Sequence, residues 1–426
     1  MQFQGMVFAP WRIWTRRSLW FKTLLGMLAG IALGLGMPEQ ALLFKPFGTL
    51  FVNTIKMLMV PLIFCSVITG ICTLGKRHLD HTGVKAVCLY LGSTTLAICI
   101  GLLMGWLLEP GTGAALHNSI VFIPPGHPTL EQVLGDLMPA NPLQAMAEGK
   151  VVQVVVFAVA LGLAINAIGT QGEPAERLFA SLAAAMNKLT QVLMLLAPYG
   201  VCALMAWLAA RYGLELLLPL LKVIGAVYLG CLLHVLGVYS GMLLLLARLN
   251  PWHYFRSILD AQALAFTSSS SATTQPLSMQ CAEQRLGVSQ RVTNTVLPIG
   301  ATINMDGTAL YQGVTALFVA QAFGIDLHLF DYLTIIVIAV LASIGTAGAP
   351  GTGLMTLTLV LTSVGLPLEG VALIAGIDRI LDMARTTVNV SGDILVSVLI
   401  AKREGELDLA TYHDPDAGDD PELGER

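Results

Sequence analysis

The chain has 426 residues, of which 55% are hydrophobic and 12% charged, with a formal net charge of -4. A soluble globular protein carries roughly 25% charged residues, so this composition and a mean hydropathy of +0.74 exclude a single soluble core and require lipid as solvent for much of the surface. No basic patch with interleaved aromatics occurs, which excludes a nucleic-acid partner, and seven cysteines without a CxxC, in a chain without HExxH, exclude a zinc motif.

Arg12, Arg16, Arg17 and Lys22 flank an apolar run that lacks a clean cleavage site. This predicts a retained first helix with a cytoplasmic N-terminus. Apolar stretches long enough to cross a bilayer fall near 18–37, 42–74, 85–109, 147–168, 187–211, 216–248, 290–323 and 369–402. The loop Lys76-Arg77-His78, with Lys85 beyond it, suits the cytoplasm; the loop 110–146, poor in Lys and Arg, suits the outside.

Two segments do not read as ordinary spans. In 252–289 a polar centre, Ser268-Ser269-Ser270-Ser271-Ala272-Thr273-Thr274, separates two arms. In 330–367 the centre is Ser343-Ile344-Gly345-Thr346-Ala347-Gly348-Ala349-Pro350-Gly351-Thr352-Gly353. Irregular backbone at membrane depth is tolerated only inside protein or along a wet cavity. Both segments are therefore expected to be re-entrant helical hairpins, each followed by a full helix. That order, occurring twice, suggests the internal repeat of a transporter.

Within 290–323, the stretch Gly300-Ala301-Thr302-Ile303-Asn304-Met305-Asp306-Gly307-Thr308 joins poor helix formers to a carboxylate. It predicts an unwound turn whose freed carbonyls suit a hard cation. The last span carries Asp378, Arg379, Asp382, Arg385, Thr386, Asn389 and Asp393. At about 100° per residue all but Arg379 fall on an arc of roughly 100°, and Arg379 lies at its edge. Each charge facing lipid would cost about 2.5–3.5 kcal/mol, so the stripe must face a polar interior. One reading is a structural ion-pair seam, Asp382 with Arg385 at i,i+3. The other is a site for a charged solute and cations, which the Thr and Asn on the same stripe favour. Beyond Arg403 the acidic tail predicts disorder.

Together these residues resemble the dicarboxylate/amino acid:cation symporter family, the glutamate transporter family. The likeness covers nearly the whole chain. It is carried by Asn304-Met305-Asp306-Gly307-Thr308, by the tip 345–353, and by Asp378, Asp382, Arg385, Thr386, Asn389 and Asp393 at their spacing. It implies an all-α polytopic membrane protein with eight transmembrane helices, two re-entrant hairpins, and scaffold and transport domains that move as an elevator. The implied divisions are N-terminal helices (1–74), third to sixth helices (75–251), a transport core (252–402) and the acidic cytoplasmic tail (403–426). A homotrimer in a bacterial inner membrane, with both termini cytoplasmic, is implied as well.

By the same resemblance, Asp382 takes the α-amino group of an acidic amino acid. Arg385, helped by Thr308, takes the side-chain carboxylate. Asn389, with groups near Ser270 and Ser271, takes the α-carboxylate; Thr386, Ala349 and Gly353 complete the substrate residues. About three sodium ions are implied. The first uses Asp393 with Gly300, Asn304 and Asn389. The second uses Thr302, Ser343, Ile344 and Thr346. The third uses Asp306, Asn304, Tyr90, Ser93 and Thr94, and Met305 is counted with the cation residues. Arg fits a carboxylate bidentately. Relatives for neutral amino acids tend to lack the acid-binding Arg at 385, C4-dicarboxylate relatives the Asp at 382, and proton-coupled relatives the acid at 393. This chain has all three, which points to aspartate or glutamate with sodium. It lacks the Arg that some relatives place at 269 or 383, so no potassium step is carried over, and Thr274-Gln275-Pro276 departs from the common Thr-Leu-Pro. An intramembrane hydrolase using serines 268–271 and His234 lacks a GxSxG elbow, and a simple ion channel would show no saturable uptake; the chain is read as a transporter, not an enzyme.

Overall fold

The computed structural model describes residues 19–76, 81–114, 138–213, 217–343, 352–414 and 417. Among them every regular element is helical, apart from one isolated bridge between Val288 and Leu407. The first helices are α1 (Leu19–Gly36), α2 (Lys45–Lys76) and α3 (His81–Leu108), followed by α4 (Val151–Ala167), α5 (Glu173–Met194) and α6 (Ala197–Tyr212). Helix α7 (Leu217–Leu233) continues through π-helical turns at His234–Tyr239 and Leu243–Ala247. Among the described residues, four stretches are long and apolar enough to cross a bilayer, 38–72, 81–108, 218–247 and 373–404, and a fifth if a bent pair of helices within 169–212 is one span.

The stretch 187–211, expected as one span, is broken. Helices α5 and α6 meet at a 55° bend. Pro198, in the first turn of α6, has no N–H to continue the preceding ladder.

Helices α1 and α6 pack backbone to backbone. Gly26, Gly30 and Gly34 recur every fourth residue, and a Cβ at each would strike the carbonyls of Pro198, Cys202 and Ala206 in turn. That order makes the two helices run in the same direction. Without a hydrophobic drive between helices in lipid, such close small-residue contact supplies the packing. Gly30→Ala is therefore expected to cost about 1–3 kcal/mol and to lower the thermal midpoint of the purified protein. Gly36→Ala, with nothing within 4 Å of the new Cβ, leaves the midpoint unchanged; equal midpoints for the two variants would refute the tight seam.

The first hairpin is α8 (Leu259–Ser268) and α9 (Ser271–Gln280). The chain reverses at Ser269, whose φ of 51° is left-handed, and the Ser270 hydroxyl accepts from Thr273 N at 3.3 Å to cap α9. Each arm is too short to span a bilayer. Helices α10 (Gln290–Ile303) and α11 (Asp306–Phe323) are separated by Asn304 and Met305, both outside helical geometry. The unwound turn thus lies where the Asn-Met-Asp-Gly run predicts it, and it places Asp306 in the first turn of α11, where the helix dipole favours an anion.

The segment expected as a second hairpin has arms α12 (Leu329–Ser343) and α13 (Thr352–Ser363), which pack on each other; 344–351 between them lie outside the described residues. The long helix α14 (Glu369–Glu404) is buried over nearly all its length, against α8, α10, α11, α7 and α13. Its charged stripe is therefore inside the protein, while leucines on the outer side of α7, such as Leu229, Leu236 and Leu245, remain exposed for lipid.

The acidic tail is a correction for residues 403–414, which are ordered. Asp408 N donates to the Gly287 carbonyl at 2.8 Å, and Ser289 N to that of Glu406 at 3.1 Å. Arg291 binds Glu404 and Glu406, each at 2.7 Å. A short helix, α15 (Leu409–His413), then buries Tyr412, whose hydroxyl donates to the Asn250 carbonyl at 3.0 Å. Charge count predicted disorder because it could not see these partners on the far side of the first hairpin. The hydrogen bonds from Arg291 and Ser289 hold the Glu406 carboxyl below its ordinary 4.5. A depressed acid stabilises above its unfolded value, and that contribution is lost as pH falls through the lower folded value. Protection factors for hydrogen exchange at 407–413 are expected to fall on acidification below 4.5 and to be low at neutral pH in Arg291→Gln. Protection independent of pH and of Arg291 would show that the clasp does not hold the tail.

Candidate ion and substrate site

The break between α10 and α11 faces α14 and α3, and two acidic centres form there. The first is Asp306, which is fully buried. Its Oδ1 accepts from Thr94 Oγ1 at 2.6 Å, and its Oδ2 from Ser93 Oγ at 2.5 Å and Tyr239 OH at 2.9 Å. His234 Nε2 lies 3.2 Å from the same Oδ2 and 3.4 Å from Ser93 Oγ. A buried carboxylate is tolerable only with such partners. The family resemblance implies Ser93 and Thr94 for a cation set with Asp306; His234 and Tyr239 are not in that set. The π-helical turns of α7 carry both, and turns of that kind often mark functional positions.

The second centre is Asp393. Asn304 Nδ2 donates to Asp393 Oδ1 at 3.0 Å and to the Asn389 carbonyl at 3.2 Å. Gly300 passes so close that a Cβ would lie 2.5 Å from Asp393 Oδ1 and 2.6 Å from the Tyr90 hydroxyl. Tyr90 donates to the Val296 carbonyl at 3.2 Å. Asn304 Oδ1 is buried without a hydrogen-bond donor. Carboxylate, amide, hydroxyl and carbonyl oxygens thus converge at an unwound helix, the donor set that a small hard cation takes. The structure brings Asp393, Gly300, Asn304, Asn389 and Tyr90 together. Met305 is buried with its Sδ 3.2 Å from Asn389 Nδ2. In the remaining expected set, Thr302 and Ser343 donate to carbonyls of their own helices, Ile299 at 2.9 Å and Val340 at 2.6 Å. Ile344 and Thr346, with Ala349 of the substrate set, lie outside the described residues.

The charged stripe of α14 closes on itself. Arg385 is 1% exposed. Its Nη2 donates to Asp382 Oδ1 at 2.6 Å, its Nη1 lies 3.3 Å from Asp378 Oδ1, and the guanidinium sits 4.2 Å from the centre of the Tyr311 ring. Gly353, at the start of α13, abuts it; a Cβ there would overlap the guanidinium. Arg379, whose direction the helical wheel left open, turns to Asp382 at 3.7 Å and donates to the Ser268 carbonyl at 3.4 Å, tying the first hairpin to the stripe. Two arginines and two aspartates therefore balance. The i,i+3 ion pair is real in this state, and Asp382 and Arg385 serve each other. Asn389 Oδ1 accepts from Gly307 N at 2.8 Å, and its Nδ2 reaches Thr308 Oγ1 at 3.4 Å, pinning the stripe to the first turn of α11. Thr386 and Ser271 are buried, and Ser270 caps α9. Asp378, Arg379 and Tyr311 had no assigned role; the wheel already placed Asp378 on the arc, whereas Tyr311 gave no signal. His234 contacts Asp306 and Ser93 rather than the serine run, so the pairing a hydrolase would need is not formed.

A family profile described as "Sodium:dicarboxylate symporter family" matches residues 19–403. The chain is 33% identical over 407 residues to the proton/sodium-glutamate symport protein of Geobacillus stearothermophilus, covering 91% of this chain and 95% of that relative. It is 35% identical over 397 residues to the proton/glutamate-aspartate symporter of Bacillus subtilis (strain 168), with the same coverage. It is 34% identical over 413 residues to the C4-dicarboxylate transport protein of Laribacter hongkongensis, covering 94% and 93%.

Proposed function

Because the chain belongs to the sodium:dicarboxylate symporter family, we propose that it is a secondary active symporter that imports aspartate or glutamate with sodium. The observation that carries this reading is the buried cluster of Asp378, Asp382 and Arg385. An acidic amino acid presents an ammonium and a side-chain carboxylate. It can replace the internal Asp382–Arg385 pair by two pairs of the same kind, ammonium on Asp382 and carboxylate on Arg385. The buried charges then stay compensated in both states, so the exchange avoids the large penalty of an unpaired buried charge. Thr308 helps Arg385 with the side-chain carboxylate, and Asn389, which contacts Thr308 at the first turn of α11, takes the α-carboxylate with Ser270 and Ser271. Gly353 borders the guanidinium; Thr386 and Ala349 complete the substrate residues.

Sodium is cargo in this scheme. The Asp393, Asn304, Gly300 and Asn389 oxygens receive one ion. The Asp306, Ser93 and Thr94 group, with Tyr90 and Asn304, receives another. The Thr302, Ser343, Ile344 and Thr346 group receives a third. Substrate and ions would then cross with α3, α7 and the helices from α8 to α14 as one body, against a scaffold that includes α1, α4, α5 and α6, in a homotrimer of the bacterial inner membrane with cytoplasmic termini.

A second reading keeps the fold and couples to protons, or takes C4-dicarboxylates. It is favoured by the activities in the names of the relatives. Uptake of labelled aspartate and succinate into liposomes decides between them. Aspartate uptake driven by an inward sodium gradient and absent in choline supports the first reading. Uptake that needs only a proton gradient, or that prefers succinate, overturns it in favour of the second.

A further inference from the structure

A second polar stripe lies on α2, far from the break at Asn304. Lys45, Thr49, Asn53 and Lys56 stand at positions 0, 4, 8 and 11 of the helix, within an arc of about 80°. All four line a cavity of about 630 Å³ enclosed by α2, α6 and the start of α14. Helix α6 adds Trp207, Arg211 and Tyr212, and α14 adds Leu368, Glu369 and Leu373. Lys45 Nζ lies 5.0 Å from the centre of the Trp207 ring. Lys56 lies about 16 Å along α2 from Lys45, within a stretch long and apolar enough to cross a bilayer, and an ammonium inside such a stretch is costly. No described carboxylate pairs with Lys56 or Arg211.

The lining therefore holds three cations, one amide and two hydroxyls, those of Thr49 and Tyr212, against the single carboxylate of Glu369, in a chain whose overall charge is -4. A concave wall of one sign focuses the field and concentrates counter-ions there. The donors suit an oxyanion, and Arg211 can fork onto a carboxylate. The cavity and the charged cluster share α14: Leu373 lines the cavity, and Asp378 stands five residues later, about 7.5 Å along the axis and about 140° around it. We infer that this cavity is a second, outer binding site for a small acidic solute, built from Lys45, Thr49, Asn53, Lys56 and Arg211. It holds the solute weakly and feeds the Arg385 cluster. The inference rests on the reading of that cluster as a site for acidic solutes.

The test is equilibrium binding of labelled aspartate to the full-length protein in phosphatidylcholine nanodiscs with sodium. Wild type is expected to show a tight and a weak component, the weak one losing about tenfold in affinity from low to high salt. Lys56→Gln with Arg211→Gln removes the weak component alone. In transport, that double variant lowers kcat/KM about tenfold at low salt with kcat unchanged, and the deficit closes at high salt. Arg385→Ala removes the tight component alone. A single tight component in wild type, or a weak one untouched by the double variant, overturns the outer site while the proposed transport site stands. A weak component without a tight one in wild type sinks the transport site instead. Retention of the tight component shows that the double variant is folded. The same oxyanion chemistry is offered by a lipid phosphate. If phosphatidylglycerol nanodiscs abolish the weak component in wild type, the cavity belongs to a headgroup and the solute assignment falls.

Discussion

Arg385→Cys is expected to lower kcat/KM for aspartate by at least about 100-fold and to shift selectivity towards neutral amino acids of similar size. The guanidinium is the cation closest to both Asp378 and Asp382, and Tyr311 and Gly353 enclose it. Removing one partner from a buried charge pair costs about 3–5 kcal/mol, and every 1.4 kcal/mol is tenfold. In the variant the substrate carboxylate would face two aspartates with only Arg379 nearby. A neutral side chain carries no such repulsion, while its ammonium still meets Asp382. Rates for alanine, serine and cysteine should therefore rise relative to aspartate. Asp382→Ala has the opposite signature: it removes the ammonium partner, and all amino acids lose binding together. Unchanged aspartate kinetics in Arg385→Cys, in protein that elutes as wild type, would leave the guanidinium with a purely structural role.

Asp306→Ala should be the more damaging change for the fold, and Asp306→Asn the more informative one. Four side chains from α3 and α7 aim at this carboxylate. Alanine strands them in a buried site, at about 1–3 kcal/mol for each unsatisfied group, enough to consume a large part of a typical stability of 5–15 kcal/mol. Asparagine keeps the shape and the acceptor oxygen but removes the charge. The fold should survive with a lowered thermal midpoint, and half-maximal sodium for uptake should rise at least about tenfold, since a full charge no longer attracts the ion. A sodium requirement equal to wild type in Asp306→Asn would remove this centre from the cation path.

The parts of this architecture legible in sequence are those fixed by local chemistry. The arc of Asp378, Asp382, Arg385, Asn389 and Asp393 follows from helical rotation alone, and the structure buries all five on α14. The break at Asn304-Met305 follows from poor helix formers before an aspartate, and the reversal at Ser269 from a run of serines. What sequence could not supply is tertiary choice. The spacing of Asp382 and Arg385 allowed either an internal pair or two ligands for a solute, and only packing shows that they pair with each other. His234 is a single polar residue in an apolar run, without periodicity to mark it; its meaning appears only when α7 sets it against Asp306. The clasp of Arg291 on Glu404 and Glu406 likewise depends on partners distant in sequence. The stripe of Lys45, Thr49, Asn53 and Lys56 was readable by the rotation used for α14, but its charges are spread thinly along a span that otherwise reads as apolar.

The central claim is that the ionised groups inside this helical bundle serve travelling solute and cations rather than a fixed seam. The most direct measurement is the thermal midpoint of purified protein with aspartate, in sodium and in choline. The expected result is a rise with aspartate in sodium, little or none in choline, and none in Asp382→Ala. A midpoint indifferent to aspartate in both salts, with Asp382→Ala differing from wild type only in stability, would mean that the charges of α14 merely hold helices together.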